Sequence, residues 1–389
     1  MDDSRLHLDT LLQHLGEEEK PHGAVVPPIF QNSLFVFDTY KDFAGAQTGD
    51  ETASKFHYSR ITNPTVEIVC KKLALLEGTG GALVFGSGMG AISAAILNCV
   101  EHGSHVVVVD TCYGPTRNFI ENYLGRFGVT HTFVDGLTPE SVLDAIRPET
   151  SLVYLESPGS IIFRIQDLEA ITRVCREKGI ATIIDNSYSS PIHQQPAKFG
   201  VDIVVHSATK YLCGHSDVVA GALMASEERI KRIVDGELQY LGAILAPMPA
   251  WLMLRGLRTL KLRVKHHQAT AHEVALWLRG RREVRHVHHV GFFEGRQRAL
   301  YEKQMEGTGG LVTFEPAMQD PDWVERFIDA LNVFQLGVSW GGFESLSVPL
   351  HYSALGWDEP RYLVRLYCGL EDPVDLVNDL AQGFETASR

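Results

Sequence analysis

Between residue 63 and about residue 225, short apolar runs alternate with segments of helix length, and this alternation leaves few folds open. The runs at 82–85, 105–109, 130–134, 152–155, 181–185, 203–206 and 219–224 are rich in Val, Ile and Leu, as strands covered on both faces require. Segments such as 91–101 and 168–178 have the length and pattern of helices. The expectation is an α/β fold, a mostly parallel sheet with helices on both faces. At 389 residues the chain exceeds one small core, so more than one lobe is expected. Residues 1–60 combine Pro27, Pro28, Phe30, Phe35 and Phe37 with no sustained period, which suggests an arm extended over a neighbouring subunit. Residues 61–255 then form the large domain. A helix over 252–263 leads into a smaller α+β domain, 256–389, with strands at 310–314 and 336–339 and a last helix over 372–384. No repeat or low-complexity linker separates the lobes.

Several function classes are disfavoured. A net charge of -13 argues against nucleic acid as the main ligand, because phosphate backbones are held by basic surfaces. No apolar run approaches the roughly 20 residues that span a bilayer, and the acidic N-terminus lacks the pattern of a signal peptide. The six cysteines are scattered without a CxxC pair, which points to reduced thiols in the cytoplasm and to no zinc site. The densest histidine cluster, HVHH at 286–289, alternates with an apolar residue as an exposed strand face would, and no metal is expected there.

Three elements carry chemistry. FGSGMGA (85–91) is a strand end, a glycine-rich turn and a helix start, where outward N–H groups and the helix dipole suit a phosphate. Asp185 ends the apolar run ATII, where a carboxylate needs a partner to be tolerated. Lys210 follows Ser207 and Thr209 in HSATKYLCGH (206–215), just past the next strand. Ligands of open parallel sheets sit beyond the carboxyl ends of strands, so these groups can share one crevice. Pyridoxal 5′-phosphate requires such a layout: a lysine for its aldehyde, an aspartate for its ring nitrogen and a turn for its phosphate. Ser207 and Thr209 would add hydroxyl donors, and Tyr113 could stack on the ring.

The segments YSRITNPT (58–65), LEGTGGALVFGSGM (76–89), DTCYGPT (110–116), ESPGS (156–160), DNSYSSP (185–191), HSATKYLCGHSD (206–217), RGLRTLKLR (255–263) and WGGFESL (340–346) together resemble the pyridoxal-phosphate enzymes of cysteine and methionine metabolism. The likeness runs from about 25 to 384. It implies the aspartate-aminotransferase-like, type I fold and the cofactor pyridoxal 5′-phosphate. It further implies that Lys210 is the Schiff-base residue, that Gly88, Met89, Ser207 and Thr209 hold the phosphate, that Tyr113 stacks on the ring and that Asp185 pairs with its nitrogen. Tyr58 and Arg60 match residues that reach the phosphate of the adjacent subunit, so the resemblance implies a homo-oligomer, a tetramer built from dimers that share active sites. Arg365 matches the arginine that grips the substrate α-carboxylate, a task suited to a guanidinium fork, and Ser339 and Trp340 match positions lining the same pocket.

Within that family the motifs divide. Trp340 after Ser339, and ESPGS, resemble the cystathionine β-lyases. Val338 stands where many γ-acting members carry an acidic residue, and Pro115 replaces the cysteine of methionine γ-lyases. YSRITNPT looks more like the γ-synthase and γ-lyase branches. The resemblance therefore implies a carbon–sulfur β-lyase that converts L-cystathionine or a related cysteine conjugate to a thiol such as homocysteine, pyruvate and ammonia. A γ-acting lyase or synthase is the alternative, and a non-catalytic module with this fold the third possibility. Residues 347–358, SVPLHYSALGWD, depart from the family pattern and mark a site of altered specificity.

Overall fold

The structure, a computed structural model, describes residues 6–48 and 56–389. Its larger sheet contains β1 (Gly81–Phe85), β2 (His105–Val109), β3 (Thr130–Val134), β4 (Thr150–Glu156), β5 (Ala181–Asp185), β6 (Ile203–His206) and β7 (Gly221–Ala225), in the order β1-β7-β6-β5-β4-β2-β3. Every expected run in this region is a strand. β3, β2, β4, β5 and β6 are mutually parallel, and β7 is antiparallel to both its neighbours. Helices cover both faces, so Val106 to Val109 are wholly buried, as are Leu152 to Leu155. Local chemistry sets the helix ends. Asn63 caps the helix Pro64–Glu77 by accepting from the Thr65 N–H, proline occupies its first turn, and Gly78 closes it at φ 68°.

β7 starts at Gly221, two residues later than the apolar run suggests. Both backbone groups of Ala220 are taken by the Thr209 hydroxyl, which accepts from its N–H at 3.0 Å and donates to its carbonyl at 3.2 Å. This side chain ties the loop around Lys210 to the head of β7.

The expected helix over 252–263 is two helices, Pro247–Arg258 and Leu260–Arg279, broken at Thr259. Arg263 holds the corner, donating to the Gly256 carbonyl at 2.8 Å and the Thr259 hydroxyl at 3.0 Å. The N-terminal stretch also departs from an arm without period. Residues Leu8–His14 form a helix on the chain's own large lobe, where Glu17 pairs with the buried Lys72 at 3.1 Å and with Arg258 at 2.8 Å. Farther along, Val25, Val36 and Tyr40 are exposed apolar side chains.

The second sheet has β8 (Val284–His288), β9 (Leu311–Pro316), β10 (Gln335–Leu336), β11 (Leu346–Tyr352) and β12 (Arg361–Tyr367), in the order β10-β11-β12-β9-β8. Its core is separate and aromatic, with Phe314, Phe327 and Trp323 packed on Phe384 of the last helix, Pro373–Ala387. The run expected over 336–339 pairs only through Leu336, because Ser339 turns to φ 95°. The histidine cluster also differs from an exposed face. His286 is exposed, but His288 pairs with the buried Glu315 at 3.0 Å, and His289 is fully buried beyond the strand end. Among the described residues no group of three or more His, Cys, Asp or Glu is placed to hold a metal ion, and no helix is long and apolar enough to cross a membrane.

Glu315 makes a testable contribution to stability. Burial would raise its pKa, but the hydrogen bond and charge of His288 and the Arg361 guanidinium at 3.1 Å outweigh burial and hold it at about 2. A carboxyl depressed on folding stabilises the native state above its unfolded pKa and loses that contribution as pH falls toward the folded value. The wild type is therefore expected to lose stability between about pH 5 and pH 2 more steeply than Glu315→Gln. Urea unfolding across that range checks it, and identical slopes would refute the assignment.

Candidate functional site

The carboxyl ends of β4, β5 and β6 open into a cavity of about 550 Å³, closed on the other side by residues 338–340 and Arg365 from the second sheet's lobe. Of the residues singled out in the sequence, Gly88, Met89, Tyr113, Asp185, Ser207, Thr209, Lys210, Ser339, Trp340 and Arg365 all line it. Tyr58 and Arg60 do not. They are exposed, the Arg60 guanidinium lies 5.1 Å from the Tyr58 ring centre, and Arg60 borders a different, largely apolar cavity beside the helix Pro64–Glu77.

Lys210 is fixed from several directions. Its Nζ donates to the Ser339 Oγ at 2.5 Å and lies 5.6 Å from the Trp340 ring centre. The next residue, Tyr211, is pinned at both ends: Arg263 donates to its carbonyl at 2.9 Å and the Gly310 N–H donates to its hydroxyl at 2.7 Å. Gly341, at φ 93°, packs so closely that a Cβ there would stand 2.8 Å from the Lys210 Cα. Only glycine lets that loop press on the lysine backbone. Neighbouring Ser339 holds its own positive φ of 95°, a strained conformation of the kind found at functional sites. Burial, and then the charge of Arg365, lower the Lys210 ammonium to about 8, against the opposing pull of Asp185.

At the opposite end of the cavity the helix Gly88–Leu97 begins. Ser87 caps it by accepting from the Gly90 N–H at 3.0 Å. A Cβ on Gly88 would sit 2.9 Å from the Ser207 Oγ, so the turn and that hydroxyl share a space with no room for a side chain. Helix start, glycine turn and hydroxyl together form an anion cradle. The Thr209 hydroxyl, by contrast, is engaged with Ala220. Met89 is held from behind, its sulfur accepting from Thr116 at 3.8 Å.

Two carboxyls lie between these ends. Asp185 is buried and accepts from the Ser187 N–H at 2.9 Å; burial raises its pKa, against the opposing hydrogen bonds of Ser187 and the charges of His206 and Lys210. Glu156, at the end of β4 and paired in register with Asp185, was not singled out in the sequence. It accepts from the Tyr113 N–H at 2.7 Å, and burial, followed by the Asp185 charge, pushes its pKa well up. The rule that exposed Asp185, a carboxylate closing an apolar strand, also applies to Glu156 after LVYL. Glu156 in turn holds Tyr113 at the rim with its ring about half exposed. Arg365, beside Ser339 on β12, reaches the Ser339 and Ser160 carbonyls at 3.5 Å.

The residues present fit pyridoxal 5′-phosphate. The cradle suits its phosphate, the buried Asp185 carboxyl lines the cavity where a protonated ring nitrogen could pair with it, Tyr113 offers an open ring face, and Lys210 carries an amine of lowered proton affinity.

Comparison with known proteins agrees. The profile of the Cys/Met metabolism PLP-dependent enzyme family matches residues 9–385. The chain is 37% identical to an L-alanine/L-glutamate racemase of Wolbachia pipientis, covering 92% of each chain. It is 34% identical to a putative cystathionine beta-lyase of Rhizobium johnstonii, with 98% of this chain and 96% of the relative covered. It is 36% identical to an L-methionine gamma-lyase of Pseudomonas putida, with 96% of each covered. Among solved structures, a putative O-acetylhomoserine (thiol)-lyase of Campylobacter jejuni, containing N′-pyridoxyl-lysine-5′-monophosphate, superposes with a TM-score of 0.90 at 27% identity over 98% of this chain and all of that one.

Proposed function

The chain belongs to the pyridoxal-phosphate-dependent enzymes of cysteine and methionine metabolism, and from that premise we propose a carbon–sulfur lyase that expels a thiolate from the β-carbon of a cysteine S-conjugate, L-cystathionine among them. The observation that carries this reading is the contact of Lys210 with Ser339, whose carbonyl also meets Arg365. It sets a base of near-neutral pKa beside a carboxylate anchor, where the Cα proton of a bound amino acid would lie.

Gly88, Met89 and Ser207 would hold the cofactor's phosphate, and Asp185 its ring nitrogen. When bound, pyridoxal 5′-phosphate supplies an electron sink for charge developing at Cα. Arg365 orients the substrate through its α-carboxylate. Lys210 removes the Cα proton, and Lys210 or Tyr113 returns a proton to the departing sulfur. Trp340 and Ser339 keep the amine over the reacting carbon and exclude water. The released enamine hydrolyses to pyruvate and ammonia.

Elimination at Cβ requires deprotonation at one carbon only, whereas elimination at Cγ requires a second proton to leave Cβ. Val338, at the mouth of the cavity, supplies no acid or base for that second step. A γ-elimination is the second reading, favoured by the likeness to methionine gamma-lyase and by YSRITNPT. Saturating L-cystathionine separates the two: pyruvate with homocysteine is expected, and 2-oxobutyrate with cysteine would replace the β-lyase reading by γ-elimination. The same proposal includes an oligomer in which Tyr58 and Arg60 complete a neighbouring copy's phosphate site, consistent with their exposure away from this chain's own cavity.

A further inference from the structure

We propose that the distal part of this cavity selects an uncharged, apolar S-substituent, so that S-alkyl and S-aryl cysteine conjugates are preferred over conjugates ending in a second charged head group. The inference rests on the lyase reading for the reaction and on the cavity walls for the selectivity.

Among the described residues the cavity is lined by four charged side chains, Glu156, Asp185, Lys210 and Arg365. All four interact with one another at the proximal end: Arg365 with Glu156 and Lys210, and Asp185 with Glu156 and Lys210. Among this chain's own described lining residues none remains for a distal carboxylate or ammonium. The wall leading away from Arg365 is apolar. Val348 on β11 is its cross-strand partner, and Leu350 follows two residues later on the same face of that strand, about 7 Å along it. Ile161 and Val338 line the same cavity, Val338 in exposed position. The polar member of that strand segment, His351, alternates to the opposite, exposed face.

The wall is also fixed. Leu350 and Ile161 pack against a cluster of Ile162, Ala354 and Leu363. The segment after β11 is clamped to the large lobe through Asp110, which accepts from the Leu355 N–H at 2.5 Å and from Arg164 at 3.2 Å, while Arg164 donates to the Leu355 carbonyl at 2.8 Å. Asp358 and Glu359 lie exposed beyond that clamp. Val348, Leu350, Leu355 and Asp358 all fall within the segment 347–358 singled out in the sequence. A charged terminus placed on this wall loses hydration without gaining a partner, whereas each buried methylene favours binding by about fourfold.

The test compares ligands of equal carbon-chain length on the holoenzyme. By calorimetry L-norleucine, which has no leaving group, is expected to bind at least about tenfold more tightly than L-2-aminoadipate, and Leu350→Arg to narrow or reverse that ratio, while Leu350→Met retains it. Equal affinity of the two ligands, or tighter binding of aminoadipate to the wild type, overturns the inference. S-propyl-L-cysteine is expected to exceed S-(2-carboxyethyl)-L-cysteine in kcat/KM for pyruvate release by a similar factor. A norleucine preference with no elimination from either conjugate upholds the pocket and overturns the lyase reading; pyruvate from both conjugates at equal kcat/KM does the reverse.

Discussion

Alanine at position 210 is expected to reduce turnover by about 10⁴-fold or more, because in the proposed reaction one side chain is both the attachment point of the cofactor and the Cα base. The visible absorbance of lysine-bound pyridoxal phosphate should vanish with it, even when the purified variant is saturated with the cofactor. Folding should be nearly unaffected. Among the described residues the Lys210 ammonium makes one direct hydrogen bond, to Ser339, and the backbone around it is held independently through Tyr211, Arg263 and Gly310. Absorption spectra, single-turnover assays and urea unfolding of the same preparation check the three parts. Unchanged cofactor absorbance in Lys210→Ala would remove the central assignment. Lys210→Arg should behave like the alanine variant, because a guanidinium neither condenses with an aldehyde nor accepts a proton near neutral pH.

Much of this site was legible before any coordinates, and for one physical reason. Parallel strands that end in polar residues deliver those residues to one edge of the sheet, so Asp185, Ser207 and Lys210 could be placed together from the positions of β5 and β6 alone. The same reasoning, applied evenly, would have reached Glu156 at the end of β4. Features set by long-range packing were not legible. The Thr259 break depends on Arg263 finding carbonyls at Gly256 and Tyr211, and the positive φ at Ser339 depends on a loop from the other lobe meeting the Lys210 backbone. Hydrophobic periodicity carries no information about either. The N-terminal helix was missed because its seven residues are short for a periodic signal and are held by distant partners, Lys72 donating to the Leu12 carbonyl and Gln13 donating to the Arg258 carbonyl. Tyr58 and Arg60 present the converse case: the resemblance assigns them to phosphate, while the fold of one chain leaves them outside the cavity.

Replacing Arg365 with alanine is the second large effect expected, and it carries a pH signature that a purely structural role would lack. Truncating one partner of a buried charge pair costs about 2–5 kcal/mol, which corresponds to roughly 30-fold to several-thousand-fold in kcat/KM. Most of the loss should appear in KM, since in the proposed role the guanidinium fork binds the α-carboxylate in ground and transition states alike. Arg365→Lys should recover only part of it, because an ammonium keeps the charge but cannot match the carboxylate with two parallel hydrogen bonds. The pH effect follows from the position of Arg365 near Lys210. Burial lowers the Lys210 pKa most, and the Arg365 charge lowers it further, together bringing it to about 8. A lysine acts as a base only when neutral, so a lower pKa extends activity toward lower pH. Removing the Arg365 charge lets Lys210 hold its proton more tightly, and the acid limb of the kcat profile should move to higher pH in Arg365→Ala. Arg365→Lys, which retains the charge, should leave that limb in place. A KM increase with no alkaline displacement in Arg365→Ala would mean that Arg365 binds the carboxylate without tuning the base.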